Sequence, residues 1–175
     1  MKIPFLLMTA LLGQATGLAA QEASAPRKVA TKRVAFAQSC FWTGEMKLGQ
    51  IEGVMRTEAG FFKGREVTLV EYAPEQVSLE DLARRASQAG VADRIHLDAE
   101  TQPPPAGVSN GAPLDKSYRP APSDDQKKQI EGTPFSRLRL TPEQATKVNA
   151  FAREDPVKAL QWLTPAQREQ IKVGR

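Results

Sequence analysis

The residues best equipped for chemistry lie in the run Ser39-Cys40-Phe41-Trp42-Thr43-Gly44-Glu45, which holds the one cysteine of the 175-residue chain. The apolar run Val34-Ala35-Phe36-Ala37 before it reads as a buried strand, and the amphipathic stretch after it reads as a helix. A thiol at a strand-to-helix junction meets unpaired backbone N–H groups and the positive end of the helix dipole, and both favour an anion. A cysteine in that setting is favoured as the thiolate and becomes a nucleophile. Phe41 and Trp42 beside it suggest an apolar pocket for whatever it attacks. Taken alone, the same residues also fit a buried structural cysteine followed by core aromatics.

The elements that must position this thiol follow from periodicity and punctuation. A strand is expected over residues 33–38 and a helix over 41–50. Gly53 opens a second extended run, 54–62, which Gly64 ends. Glu66-Val67-Thr68-Leu69-Val70-Glu71-Tyr72 alternates and is rich in β-branched residues, so it reads as a strand closed by Ala73-Pro74. Ser78 fits an N-cap with Asp81 three residues on, and Leu79, Leu82, Ala83 and Ala86 share one helix face that Gly90 closes. The order strand, helix, strand, strand, helix argues for helices packed on one sheet. The expected class is α/β (α+β), a two-layer sandwich with a mixed, ferredoxin-like sheet and a short C-terminal helical extension.

Pro103-Pro104-Pro105-Ala106-Gly107 and Asn110-Gly111 predict a long irregular loop, and a short helix capped by Ser123 is expected over 123–130. The tail repeats Leu140-Thr141-Pro142-Glu143-Gln144 as Leu163-Thr164-Pro165-Ala166-Gln167. In each copy Thr suits the cap and Pro the first helical position, and Asp155-Pro156 starts a helix between them. These short helices carry Val148, Phe151, Leu160, Trp162 and Ile171; they are too short for a core of their own and should pack on the main domain or a partner.

Lys2, the apolar stretch 3–12 and Leu18-Ala19-Ala20 before Gln21 read as a secretory signal over 1–20, followed by a polar linker over 21–32. Gly13, Gln14, Thr16 and Gly17 interrupt the stretch, so no stable membrane insertion is expected after cleavage. The remainder divides into a main domain, 33–139, and the helical extension, 140–175. Export to the periplasm or beyond is the expected localisation. In such a compartment a single cysteine cannot form an internal disulfide, so it is inert, paired with another chain, or reactive and kept reduced by a partner. The net charge of +4 is dispersed and no basic stripe interleaves with aromatics, which argues against nucleic acid as a partner.

The segment 34–86 resembles the A-type peptide methionine sulfoxide reductases. Their signature, a strand ending in Gly-Cys-Phe-Trp-x-x-Glu, is matched here from Cys40 to Glu45 with Ser39 in the first place. Glu52-Gly53-Val54 stands where the family has Pro-Gly-Val, and Gly60-Phe61-Phe62-Lys63-Gly64 where it has Gly-Tyr-x-Gly-Gly. Gly64-Arg65-Glu66 leading to Tyr72-Ala73-Pro74 corresponds to Gly-His-Ala-Glu leading to Tyr-Asp-Pro, and Tyr118-Arg119 keeps part of a later Tyr-Arg-Ser motif. The resemblance implies a reductase of methionine S-sulfoxide, free or in proteins. Cys40 would be the nucleophile, Phe41 and Trp42 would wall the pocket for the substrate methyl group, and Glu66 would donate a proton to the sulfoxide oxygen. Tyr118 would give that oxygen a second hydrogen bond. The resulting sulfenic acid would be reduced by an external, thioredoxin-like thiol, because no second cysteine exists. No metal or other cofactor is implied.

Departures from the family pattern motivate a second reading. The motif's Asp falls on Pro113, the histidine before Glu66 is absent, and so are the recycling cysteines. A non-catalytic binding or redox-sensing module on the same scaffold fits these losses. The two Leu-Thr-Pro-x-Gln repeats prompt a third reading, an envelope stress or metal-handling protein; Met46 and Met55 with Cys40 and His96 are copper-ligand types, but no ligand spacing supports a site. Glu45 is expected on the helix surface or behind the site, and His96 in a structural or solvated role.

Overall fold

The computed structural model describes residues 29–98 and 104–173. The expected signal segment, most of the expected linker and Pro103 lie outside the described residues. Among the described residues the chain runs β1 (Lys32–Ala37), α1 (Phe41–Gly49), β2 (Val54–Phe62), β3 (Arg65–Tyr72), α2 (Leu79–Gln88), β4 (Arg94–Leu97) and β5 (Arg119–Pro120), then α3 (Pro142–Phe151), α4 (Pro156–Leu160) and α5 (Pro165–Val173). The strands form one sheet in the order β4-β1-β3-β2-β5. The first four, with α1 and α2 between them, have the split βαβ connectivity of a ferredoxin-like sandwich. Each of the four strand pairings is antiparallel, and two isolated bridges, Ile95 to Asn110 and Asp98 to Leu114, run parallel at the β4 edge.

Alternation along the strands divides the core into two faces. Val34, Phe36, Val54, Val70, Tyr72, Ile95 and Leu97 meet Leu48 of α1 and Leu82, Ala83 and Ala86 of α2 on the helical face. Ala35, Ala37, Phe62, Val67 and Leu69 point the other way, where Leu114 and Tyr118 of the irregular segment cover them. A β-bulge at Met55 inserts one residue into β2. Val54 and Thr57, three apart, therefore share the helical face.

The caps expected at Ser78 and Thr141 form, whereas Ser123 is not a cap: Pro122 precedes its turn and no side-chain cap bond is made. The Ser78 side chain accepts from the Asp81 N–H, and Thr141 and Gln144 form a reciprocal capping box. β4 is unforeseen: four residues, two of them polar, give too little signal, and pairing with β1 defines the strand. The predicted helix over 123–130 is a 3-10 turn at Ser123–Asp125 followed by turns. The physical reason is tertiary. The Gln126 side chain accepts from the Ala59 N–H and donates to the Ala59 and Ala121 carbonyls, and Lys127 takes a left-handed backbone with φ of 52°. A continuing helix would forfeit those bonds.

The tail does form an apolar cluster, completed by Ile130 and Phe135 from the preceding segment. It also packs on α1. The buried Lys147 Nζ donates to the Gly49 and Ile51 carbonyls, each at 2.9 Å, satisfying acceptors that the end of α1 leaves open. Thr146 Oγ1 accepts from the Thr57 N–H at 3.0 Å. No helix of the described residues is long and apolar enough to cross a membrane.

Gly44 sets how closely α1 lies on the sheet. A Cβ there would collide with the Thr68 hydroxyl and the Gln38 amide. In Gly44→Ala the helix propensity gain, about 1 kcal/mol, opposes an overpacking cost of about 1–3 kcal/mol. Because β-branched Thr68 has little freedom to turn away, the cost should prevail. We expect a lower urea midpoint for Gly44→Ala; an unchanged or raised midpoint would show that the helix lifts without strain.

Candidate active site

Cys40 is the N-cap residue of α1, with extended backbone angles (φ −148°, ψ 113°) and a half-buried side chain. Its carbonyl accepts the first helical hydrogen bond, from the Gly44 N–H at 3.0 Å. Its sulfur makes no cap bond. The N–H of the peptide joining Cys40 to Phe41 instead donates to Glu66 Oε2 at 2.8 Å. Of the unpaired N–H groups expected around the thiol, the first is thus taken by a carboxylate. Glu66, the second residue of β3 and two past Gly64, faces the helix, so its carboxylate reaches this first N–H of α1. The same geometry brings two expected catalytic residues, Cys40 and Glu66, to one end of one helix.

Phe41 and Trp42 also stand here. Phe41 is buried against Ala59 and Ala121, its ring centroid 6.0 Å from that of Trp42. Phe61 of β2 meets Phe41 edge-on at 5.4 Å and stays 36% exposed. Residue type alone does not single out Phe61, although the alternation of β2 places it beside Ala59 on the helical face. Three rings thus cluster around Phe41, the residue that follows the thiol. The Trp42 indole N–H donates to the Asp125 carbonyl at 3.1 Å, and Lys128 Nζ lies 5.5 Å from its ring centroid.

Tyr118 is not part of this group. Its ring lies over Gly60, where any Cβ would strike it, and it packs with Phe62, Val67 and Leu69 on the opposite face of the sheet. Its hydroxyl donates to Glu58 Oε1 at 2.9 Å. Burial, followed by the Glu58 carboxylate, raises the phenol's pKa well above its ordinary value. The expectation that Tyr118 hydrogen-bonds a substrate oxygen at Cys40 is therefore corrected: strand alternation turns it to the wrong side.

His96 shares that far face. It is buried edge-on to Phe62, with Nδ1 at 2.8 Å from the Ala112 carbonyl. A carbonyl only accepts, so Nδ1 carries the proton, and burial lowers the ring's pKa. The set weighed for copper is not assembled, since His96 and Cys40 are on opposite faces.

Of its two expected places, the helix surface or behind the site, Glu45 takes the second. Its spacing from Phe41 and Leu48 puts it on the helix's buried face, and it is fully enclosed. Lys127 meets it twice: the backbone N–H donates to Oε2 at 2.7 Å, and Nζ pairs with Oε1 while also donating to the Thr57 carbonyl at 2.6 Å. This pair fixes the segment whose Asp125 carbonyl holds Trp42. Nothing in the sequence around Lys127 announces the role, because it depends on a left-handed turn 82 residues away. A separate cavity of about 920 Å³, among Phe135, Val157, Leu160 and Ile171, lies in the helical tail away from Cys40.

No family model matches the chain, and no curated protein matches it in sequence. Among solved structures, methionine sulfoxide reductase A of Corynebacterium diphtheriae is similar at a TM-score of 0.49 and 14% identity, over 67% of this chain and 81% of that one. The likeness is remote; the ferredoxin-like architecture rests on the strand order and register.

Removing one member of a buried ion pair strands the other charge, at a cost of about 3–5 kcal/mol. Lys127→Met and Glu45→Met should each lower stability by that order in urea unfolding. The double variant should recover a large part of the loss, since no charge is left stranded. Additive losses would show that the two side chains act independently.

Proposed function

We propose that this chain is a thiol-dependent oxidoreductase that reduces methionine S-sulfoxide, with Cys40 as nucleophile and Glu66 as proton donor. The observation that carries the reading is the hydrogen bond from the Cys40–Phe41 peptide N–H to Glu66 Oε2, beside the rings of Phe41, Trp42 and Phe61. The Cys-Phe-Trp block and the spacing from Glu66 to Pro74 add to it.

A sulfoxide sulfur is electrophilic, but its oxygen leaves poorly unless protonated. The Cys40 sulfur attacks the sulfoxide sulfur while protonated Glu66 delivers its proton to the oxygen. Glu66 Oε2 is held by the helix, and Oε1, without a partner among the described residues, is the atom to carry that proton. The sulfoxide S–O bond breaks as oxygen passes to Cys40, giving the thioether and a cysteine sulfenic acid. The aromatic rings suit the substrate's methyl group and sulfur. An external dithiol then reduces the sulfenic acid: one thiol displaces water to form a mixed disulfide, and the second releases Cys40. Thioredoxin-like proteins have that chemistry. Export, supported by the N-terminal segment, would place the exchange in the periplasm or outside the cell.

The place of Tyr118 on the far face favours a second reading, in which the site binds or senses oxidised sulfur without turnover. The two readings separate in one assay, the appearance of methionine from methionine S-sulfoxide with dithiothreitol. The wild type should turn over. Cys40→Ser should abolish the reaction, and Glu66→Gln should lower kcat by about a hundredfold with an unchanged circular dichroism spectrum. A folded wild type without turnover sinks the reductase; saturable quenching of tryptophan fluorescence by the sulfoxide would then support the binding module.

A further inference from the structure

Resting on the reductase reading, we propose that Arg119 is a specificity-determining residue that binds the α-carboxylate of free methionine S-sulfoxide. The sheet register carries the argument. In β3, β2 and β5, Glu66, Phe61 and Arg119 are consecutive cross-strand partners. Directly opposed residues in antiparallel strands point to the same face. Phe61 meets Phe41 on the helical face, so Glu66 and Arg119 flank it there. Tyr118, one residue earlier, points to the other face, as alternation requires.

Arg119 is exposed, and its guanidinium has no ion-pair or hydrogen-bond partner among the described residues. The neighbouring cations are engaged. Lys127 pairs with Glu45, Lys128 with Glu131, Lys63 with Asp115 and Arg65 with Asp93. One unpaired guanidinium therefore borders the aromatic site on the side away from Glu66. A guanidinium presents two parallel N–H donors that match a carboxylate. In free methionine sulfoxide, two methylenes separate sulfur from the α-carbon, so the carboxylate lies roughly one interstrand step, about 4.8 Å, from the reacting centre. With the sulfoxide between Cys40 and Glu66 and its chain along Phe61, the carboxylate falls toward Arg119. A methionine inside a protein has an amide there and gains nothing from the charge.

The test compares N-acetyl-methionine S-sulfoxide with its C-terminal amide, which differs only in the carboxylate, using dithiothreitol as reductant. The wild type should favour the acid by about tenfold in kcat/KM, the scale of one charge-assisted hydrogen-bond pair. Arg119→Gln should lose that preference through the acid alone, with the amide unchanged, and Arg119→Lys should retain part of it. Equal rates for acid and amide in the wild type, or a parallel fall for both in Arg119→Gln, overturn the assignment and leave the reductase standing. Turnover of neither compound overturns both.

Discussion

A single hydrogen bond, from the Cys40–Phe41 peptide N–H to the Glu66 carboxylate, ties the start of α1 to the start of β3. A helix N-terminus has N–H groups with no intrahelical partner. A side chain at position 40 reaches only the N–H groups of residues 42 and 43, and cysteine is a poor acceptor even for those, so the Phe41 N–H needs a partner from elsewhere. Supplying the cap from a distant strand does two things together. It satisfies a donor in a half-buried place, and it fixes a carboxylate at the peptide that follows Cys40. The candidate chemistry and the local stability of the helix therefore share the same atoms.

The rest of the helix-to-sheet contact serves that arrangement. Gly44 lets α1 approach until Thr68 Oγ1 reaches the Phe41 carbonyl at 3.4 Å. One turn further on the same face, Glu45 is enclosed and ion-paired with Lys127. Enclosing two charges costs several kcal/mol per ion before their attraction is counted. Two leucines at these positions would offer hydrophobic burial of about 1.5–3 kcal/mol each without that penalty. What the ion pair adds is direction. It binds a specific carbonyl, Thr57, and a specific backbone N–H, Lys127, which an apolar pair cannot do. The segment from Asp125 to Lys127 is thereby set over Trp42 and Ala59.

The sequence is legible where local signals are strong. β2 coincides with the expected run from Gly53 to Gly64, and Ser78, Thr141 and Pro142 mark the helix starts they suggest, because caps act within a few residues. Glu45 was readable too, since its spacing from Phe41 and Leu48 is that of one helix face. Lys127 and Gln126 were not. Their partners lie in α1 and β2, and a motif such as Ser123-Asp124-Asp125 offers a helix start that tertiary bonds override. β4 shows the same limit from the other side, because it is a strand through its register with β1.

Tyr118 and Arg119 show how far function can hang on parity. The two residues are adjacent, both polar and both part of one short motif. A strand sends successive side chains to opposite faces, so one enters the back layer over Gly60 while the other shares a row with Phe61 and Glu66. The parity of that row is itself set by the bulge at Met55. Were Met55 an ordinary ladder residue instead of a bulge, a β2 anchored at Val54 would turn Thr57, Ala59 and Phe61 away from α1. The Glu45–Lys127 tie at Thr57 and the aromatic contact at Phe61 would then be lost together. Residue type alone names Tyr118 as the better hydrogen-bond donor to a sulfoxide. The count of residues along β2 and β5 decides otherwise, placing a cation on the side of the thiol and a phenol behind the sheet.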